Sequence, residues 1–183
     1  MKEIKLYHGT DCYFEKVDLL HCKERKDFGY GFYLTSDHNQ AKDWAVIVAK
    51  TNNSTPYVNM YRVDPDTING LNVHRFNTAS RAWIKYIIRN RFMIKEHDTI
   101  ADYDLIIGKV ADARANIIIA EYLSKYGVDV CMNNTTVQDA LIKALKPERL
   151  HDQYCFKTEA GIVLLNRYDD NDKPLVSIKR ISI

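Results

Sequence analysis

Asp27-Phe28-Gly29-Tyr30-Gly31-Phe32-Tyr33-Leu34-Thr35 is the stretch from which the fold is read. Two glycines break the backbone preference just before an aromatic and apolar run, so Gly31–Thr35 reads as a strand entered through a flexible turn. Ser36 then offers a helix N-cap. Ala41, Trp44, Ala45 and Val48 follow at i, i+3, i+4 and i+7, the spacing of a helix with one buried face. Upstream, Ile4 and Leu6 alternate with Lys5 and Tyr7, which predicts a first strand ending at His8-Gly9-Thr10. Downstream, Tyr57–Val63 predicts a strand that stops near Pro65.

The rest of the chain continues in the same mixture. Ser80–Asn90 reads as a helix with Ala82, Trp83, Tyr86 and Ile87 on one side and Arg81, Lys85 and Arg89 on the other. Asp104–Val110 reads as a buried strand. Helices are predicted over 116–126 and 137–145, strands at Tyr154–Phe156 and Ile162–Leu165, and an edge strand over Leu175–Ile183. Strands and helices without a regular βαβ rhythm predict an α+β fold. At 183 residues, with no repeat or low-complexity linker, the whole chain is expected to be one domain carrying a helical, basic insertion around 70–100.

Composition narrows the function classes. The chain is 46% hydrophobic and 27% charged with net charge +2, a globular profile too mildly basic to signal nucleic-acid binding by charge alone. Met1–Thr10 lacks the apolar core of a signal peptide, and no apolar run approaches the ~20 residues that cross a bilayer. Four cysteines without CxxC spacing fit free thiols in a reducing compartment. The expectation is a cytoplasmic protein with no membrane partner. His8, Cys12, His21 and Cys22 match no structural zinc spacing, so no metal is expected.

Three short elements hold candidate chemistry. His8-Gly9 lets a ligand approach bare backbone; alone, it reads first as a turn with a satisfied histidine. Tyr33, with Trp44 eleven residues on, could flank a planar ring; each also reads as a core aromatic. Asp152-Gln153 opens an apolar strand over Tyr154-Cys155-Phe156, as a polar pair facing a cleft does; a strand-capping glutamine is the plain alternative.

Taken together, these elements resemble the ADP-ribosyltransferase superfamily, in the branch of poly(ADP-ribose) polymerases and diphtheria-type toxins. The resemblance rests on His8-Gly9 on a first strand, Tyr33 in Gly29-Tyr-Gly-Phe-Tyr33-Leu-Thr, and Gln153 on a later strand. With Leu6-Tyr-His-Gly-Thr10, Gln40-Ala-Lys-Asp-Trp-Ala45 and Asp104–Asp112 added, the chain is more closely similar to an uncharacterised bacterial family placed in that superfamily. The similarity runs from Lys5 to about Leu165.

The resemblance implies a split, bent sheet core with flanking helices and a cleft for NAD, the ADP-ribose donor. His8, Tyr33 and Gln153 would be the catalytic set. Gly9 would hold the carboxamide through its backbone, Tyr33 and Trp44 would sandwich the nicotinamide, His8 would hold an adenosine-side ribose hydroxyl, and Thr10 and Phe32 would add contacts. Gln153 stands where the polymerases carry glutamate. An amide can hold a ribose hydroxyl but cannot act as a base, which points to single transfers rather than polymers. Gln153→Glu is expected to be tolerated, and Glu159 takes the role if the register of the third motif is misplaced. A macromolecular acceptor, protein or nucleic acid, is implied. So is a setting as a bacterial toxin or defence effector held by a cognate antitoxin or inhibitor protein. The alternatives are an NAD glycohydrolase and a silent NAD- or ADP-ribose-binding module. Arg81, Lys85 and Arg89 read either as a phosphate-binding stripe or as a solvated helix face. Asp104, Gly108 and Asp112 have no role beyond a suggested loop over the cleft.

Overall fold

Ile4–Thr10 forms the first strand, β1, of a seven-stranded mixed sheet in the computed structural model, which describes residues 2–92 and 103–169. The other strands are β2 (Phe32–Thr35), β3 (Tyr57–Val63), β4 (Val73–Arg75), β5 (Leu105–Lys109), β6 (Asp152–Phe156) and β7 (Asn166–Tyr168). Their order across the sheet is β4-β5-β6-β2-β1-β3-β7. Among the described strands only β4 and β5 run parallel; the remaining pairs are antiparallel. Among the described residues seven α-helices accompany them: α1 (His38–Asn52), α2 (Pro65–Ile68), α3 (Arg81–Phe92), α4 (Ala113–Tyr126), α5 (Val128–Asn133), α6 (Thr135–Leu145) and α7 (Glu159–Ile162). The architecture is α+β.

Period-two alternation sends side chains to two cores. On one face Phe28, Trp83, Ile84, Ile87, Ile88, Ile106, Ile119, Leu141 and Cys155 pack under α3, α4 and α6. On the other, Leu6, Phe32, Leu34, Tyr61, Leu105, Ile107 and Phe156 are covered by Val17, Leu19, Ile68 and Ile162. The segment read as a basic insertion, about 70–100, supplies β4 and α3, and four α3 side chains are fully buried. Part of it, 93–102, lies outside the described residues, as does the tail strand expected at 175–183.

Several local expectations change. Asp37, not Ser36, caps α1, its carboxylate accepting from the Asn39 and Gln40 amides. The buried stripe of α1 is Ala41, Ala45 and Ala49, while Trp44 is 47% exposed. A helix brought this close to a sheet tolerates only small side chains on its inner stripe. In α3 the buried residues are Trp83, Ile84, Ile87 and Ile88, with Ala82 exposed. Ile162–Leu165 is no strand: Thr158 caps the short α7, accepting from Gly161 N–H, and β7 begins only at Asn166. The Asp104–Asp112 stretch does not loop over a cleft. Asp104 accepts from Asn72 N–H and Thr158 Oγ1, and Asp112 caps α4. Gly108 sits so close to Phe28 and Phe76 that a Cβ would lie 3.1 Å from each.

Candidate functional site

The β1–β2 junction is where the sheet departs from regular pairing. β1 pairs with β3 along its whole length, from Ile4↔Val63 to Thr10↔Tyr57, but meets β2 at one register point, Tyr7↔Thr35. Beyond it the strands part. His8 reaches across the gap, its Nδ1–H donating to the Tyr33 carbonyl at 2.7 Å. The imidazole packs on Phe32, ring centroids 4.5 Å apart, with Phe14 at its edge. Burial lowers the His8 pKa; the bond to Tyr33 opposes this, and the Lys26 charge adds to it. The ring is thus held neutral, and Nε2 has no hydrogen-bond partner among the described residues.

Register places Tyr7, Gly9, Tyr33, Thr35 and Gln153 on one face of the sheet, since Tyr7 faces Thr35 and Thr35 faces Gln153. α1 lies on that face over β1 and β3, and α3, α4 and α6 lie over β5 and β6. The strip of sheet between these helices, at the β1–β2 junction, is the candidate valley, while the two best-formed concavities among the described residues lie against α3–α6 and α3–α4 instead. Gly9 lies at its α1 side for a packing reason: a Cβ there would lie 2.0 Å from the Ala41 carbonyl oxygen and 3.0 Å from Ala45 N. The glycine expected to expose backbone to a ligand is therefore also the one that lets α1 dock.

The 26–31 turn forms the other wall. Gly31 is required there, because a Cβ would meet Cys155 Sγ at 2.6 Å and its φ of +152° disfavours any side chain. Tyr33 is tied into this turn, its hydroxyl donating to Gly29 O at 2.6 Å and accepting from Phe28 N at 2.9 Å. One face of its ring lies against Phe28. Across the valley, Lys26 Nζ sits 5.5 Å from the Trp44 ring centroid. The same turn thus contacts both aromatics named from sequence. Burial lowers the Lys26 pKa, and Arg91 and Lys23 lower it further against the pull of Asp27.

Gln153 is 6% exposed. Its Nε2 donates to Asp27 Oδ2 at 2.6 Å and, more weakly, to Lys109 O at 3.3 Å. Two acceptors on one side fix the amide's orientation, so Oε1 points away from them, without a partner among the described residues. Asp27, absent from the residues chosen by sequence, is the centre of this region. It is 1% exposed and accepts from Arg91 Nε, Ala111 N–H and Gln153 Nε2. Burial raises its pKa, with Arg91 the largest opposing influence. All three neighbours donate, which favours the ionised form against the effect of burial.

The other expected residues divide. Thr10 is buried and accepts weakly from Cys12 N–H. Phe32 points to the opposite face, where it buttresses His8 and Tyr61, so its side chain does not line the valley. Glu159 opens α7, beyond the end of β6. Arg81, Lys85 and Arg89 line a separate concavity of about 420 Å³ with Thr135 and Gln138, and Arg81 is held by Asp139. The four cysteines are free thiols. Among the described residues no helix is long and apolar enough to cross a membrane.

Over the described residues, fold and site define an α+β protein built on one mixed sheet, with a histidine bridging its first two parted strands and a buried carboxylate–amide pair beside them. Residues 4–166 match the family described as "Protein of unknown function (DUF3990)", and the chain belongs to that family. No curated protein and no solved structure matches it.

Proposed function

We propose that the protein is an NAD-dependent mono-ADP-ribosyltransferase with an ADP-ribosyltransferase-like sheet, and that the valley over the β1–β2 junction takes the nicotinamide end of NAD. The observation that carries this reading is the parting of β1 from β2 after Tyr7↔Thr35, bridged by His8, with Gly9, Tyr33, Gln153 and Trp44 disposed around the gap. Parted strands leave main-chain groups that a carboxamide, with one donor and one acceptor face, matches.

In this reading the nicotinamide ring displaces Lys26 from the Trp44 face, and the freed ammonium meets the NAD diphosphate. His8 lies with Phe32 and Phe14 on the other face of the sheet, so a ribose hydroxyl reaches its Nε2, a lone-pair acceptor in this tautomer, through the gap between the parted strands. Gln153 Oε1 accepts from the 2′-OH of the nicotinamide ribose. The C1′–N bond breaks with its electron pair leaving on nicotinamide, which becomes neutral. The oxocarbenium ion is captured by a lone pair of the acceptor, whose proton passes to solvent or to a base of the target. The protein's part is orientation and electrostatic support. The acceptor is a macromolecule, protein or nucleic acid, in a cytoplasmic setting, and a cognate antitoxin or inhibitor protein is the partner that such an activity calls for.

The neutral amide at 153 favours one second reading, NAD hydrolysis or silent binding without transfer. The test is incubation with NAD labelled in its adenylate half, following nicotinamide release and label on protein, DNA and RNA. Release with single labelled units supports transfer. Release without label supports hydrolysis, and binding without release supports a silent module. Neither binding nor release removes the NAD reading.

A further inference from the structure

We propose that Asp27 is the positioning residue for Gln153: it fixes the amide with Oε1 toward the valley, and its charge behind the amide makes that oxygen a stronger acceptor. The proposal rests on the function above and adds a residue and a device to it.

A glutamine in a polar site has two amide orientations of similar shape, one offering an acceptor and the other a donor. Only the acceptor orientation supports a ribose hydroxyl beside a developing cation. Here the choice is made by the protein. Asp27 Oδ2 lies 2.6 Å from Nε2, and the Lys109 carbonyl lies on the same side at 3.3 Å. The flipped amide would set Oε1 against a carboxylate in a site where Asp27 is 1% exposed. Arg91 on Oδ1 and Ala111 N–H on Oδ2 hold the carboxylate in place. An amide hydrogen-bonded through its NH2 to an anion carries more negative charge on its oxygen, because the bonds polarise one another in series. A catalytic glutamate would bring its charge to the ribose directly. Asp27 supplies the charge one residue back, through the amide.

The pair is tested by exchanging its chemistry. Asp27→Asn removes the negative charge behind Gln153 and leaves an amide that can face it with NH2 as well as with oxygen, so the acceptor orientation of Gln153 is no longer imposed. The expected result is a fall in kcat for nicotinamide release of about 100-fold, the scale of removing one transition-state hydrogen-bonding group. NAD affinity should stay within about 3-fold, because the carboxamide and stacking contacts remain. Asp27→Asn/Gln153→Glu rebuilds the pair with reversed polarity and should recover most of the lost kcat. Position 27 is Asn in both variants, so comparing them isolates the contribution of position 153. Unchanged kcat in Asp27→Asn, or a double variant no faster than that single variant, overturns the proposal. If Asp27→Asn does not fold, the double variant decides: a folded, active protein supports the pair, and an equally unfolded one overturns it. A wild type that neither binds NAD nor releases nicotinamide overturns the functional reading itself. A wild type that turns over with Asp27→Asn at full speed removes only Asp27's role.

Discussion

Gln153→Glu places a carboxyl group where Nε2 now lies 2.6 Å from Asp27 Oδ2. The sequence alone predicted tolerance; the structure predicts a pH-dependent loss of stability. Two carboxylates at that separation in a buried site repel each other, so the folded pair holds a proton to higher pH than the unfolded chain does. An unfolded glutamate titrates near ~4.3, and each pH unit above that costs about 1.4 kcal/mol per retained proton. The ceiling is therefore about 4 kcal/mol at pH 7 and about 1 kcal/mol at pH 5. The folded pKa is the raised one, so the penalty is absent below the unfolded pKa and grows as pH rises toward the folded value. Arg91, bonded to Asp27 Oδ1, and the neighbouring Lys26 pull the other way and keep the loss under that ceiling. Urea unfolding of wild type and variant at pH 5 and pH 7 measures the difference. A destabilisation equal at the two pH values would refute the carboxylate contact.

Gly9→Ala should destabilise by about 3 kcal/mol in denaturant unfolding, because the added methyl meets Ala41 O at 2.0 Å and α1 must shift off β1. Trp44→Ala should change stability by less than about 1 kcal/mol, the side chain being 47% exposed, yet weaken NAD binding by about 1–3 kcal/mol in calorimetry. Tyr33→Phe should cost about 1–3 kcal/mol of stability, since Gly29 O and Phe28 N–H both lose a partner. His8 has a folded pKa below its ordinary 6.5. The unfolded chain therefore takes up the proton first, and stability falls as pH drops from about 6.5 toward the folded pKa. His8→Asn should remove that component from the pH profile of unfolding.

Much of this was legible where one periodicity ran long enough. β1, β3, β5, α3, α4 and α6 follow from alternation or helical spacing. α5 and α7 were not, because six- and four-residue helices are too short to show a period, and α7 depends on its Thr158 cap. The α1 stripe misled because Trp44 fits the helical period but is too large for the space that Gly9 opens; the small residues Ala41, Ala45 and Ala49 were the true inner face. Gln153 was singled out, yet Asp27 was passed over inside the quoted motif. Its partners, Arg91, Ala111 and Gln153, lie 64, 84 and 126 residues away, and only the sheet order brings them together. The signal available was an acidic residue directly before an apolar, glycine-rich strand entry, where a charge has no local reason to stand.

The most direct test of the account is a titration of the isotopically labelled wild type with NAD, followed through backbone and side-chain amide resonances. The account predicts saturable shifts concentrated at the Gly9 and Tyr33 N–H groups, the Trp44 indole and the Gln153 side-chain amide. Saturable shifts confined to Arg81, Lys85, Arg89 and Gln138 in the α3–α6 groove, or no shifts at all, would contradict it.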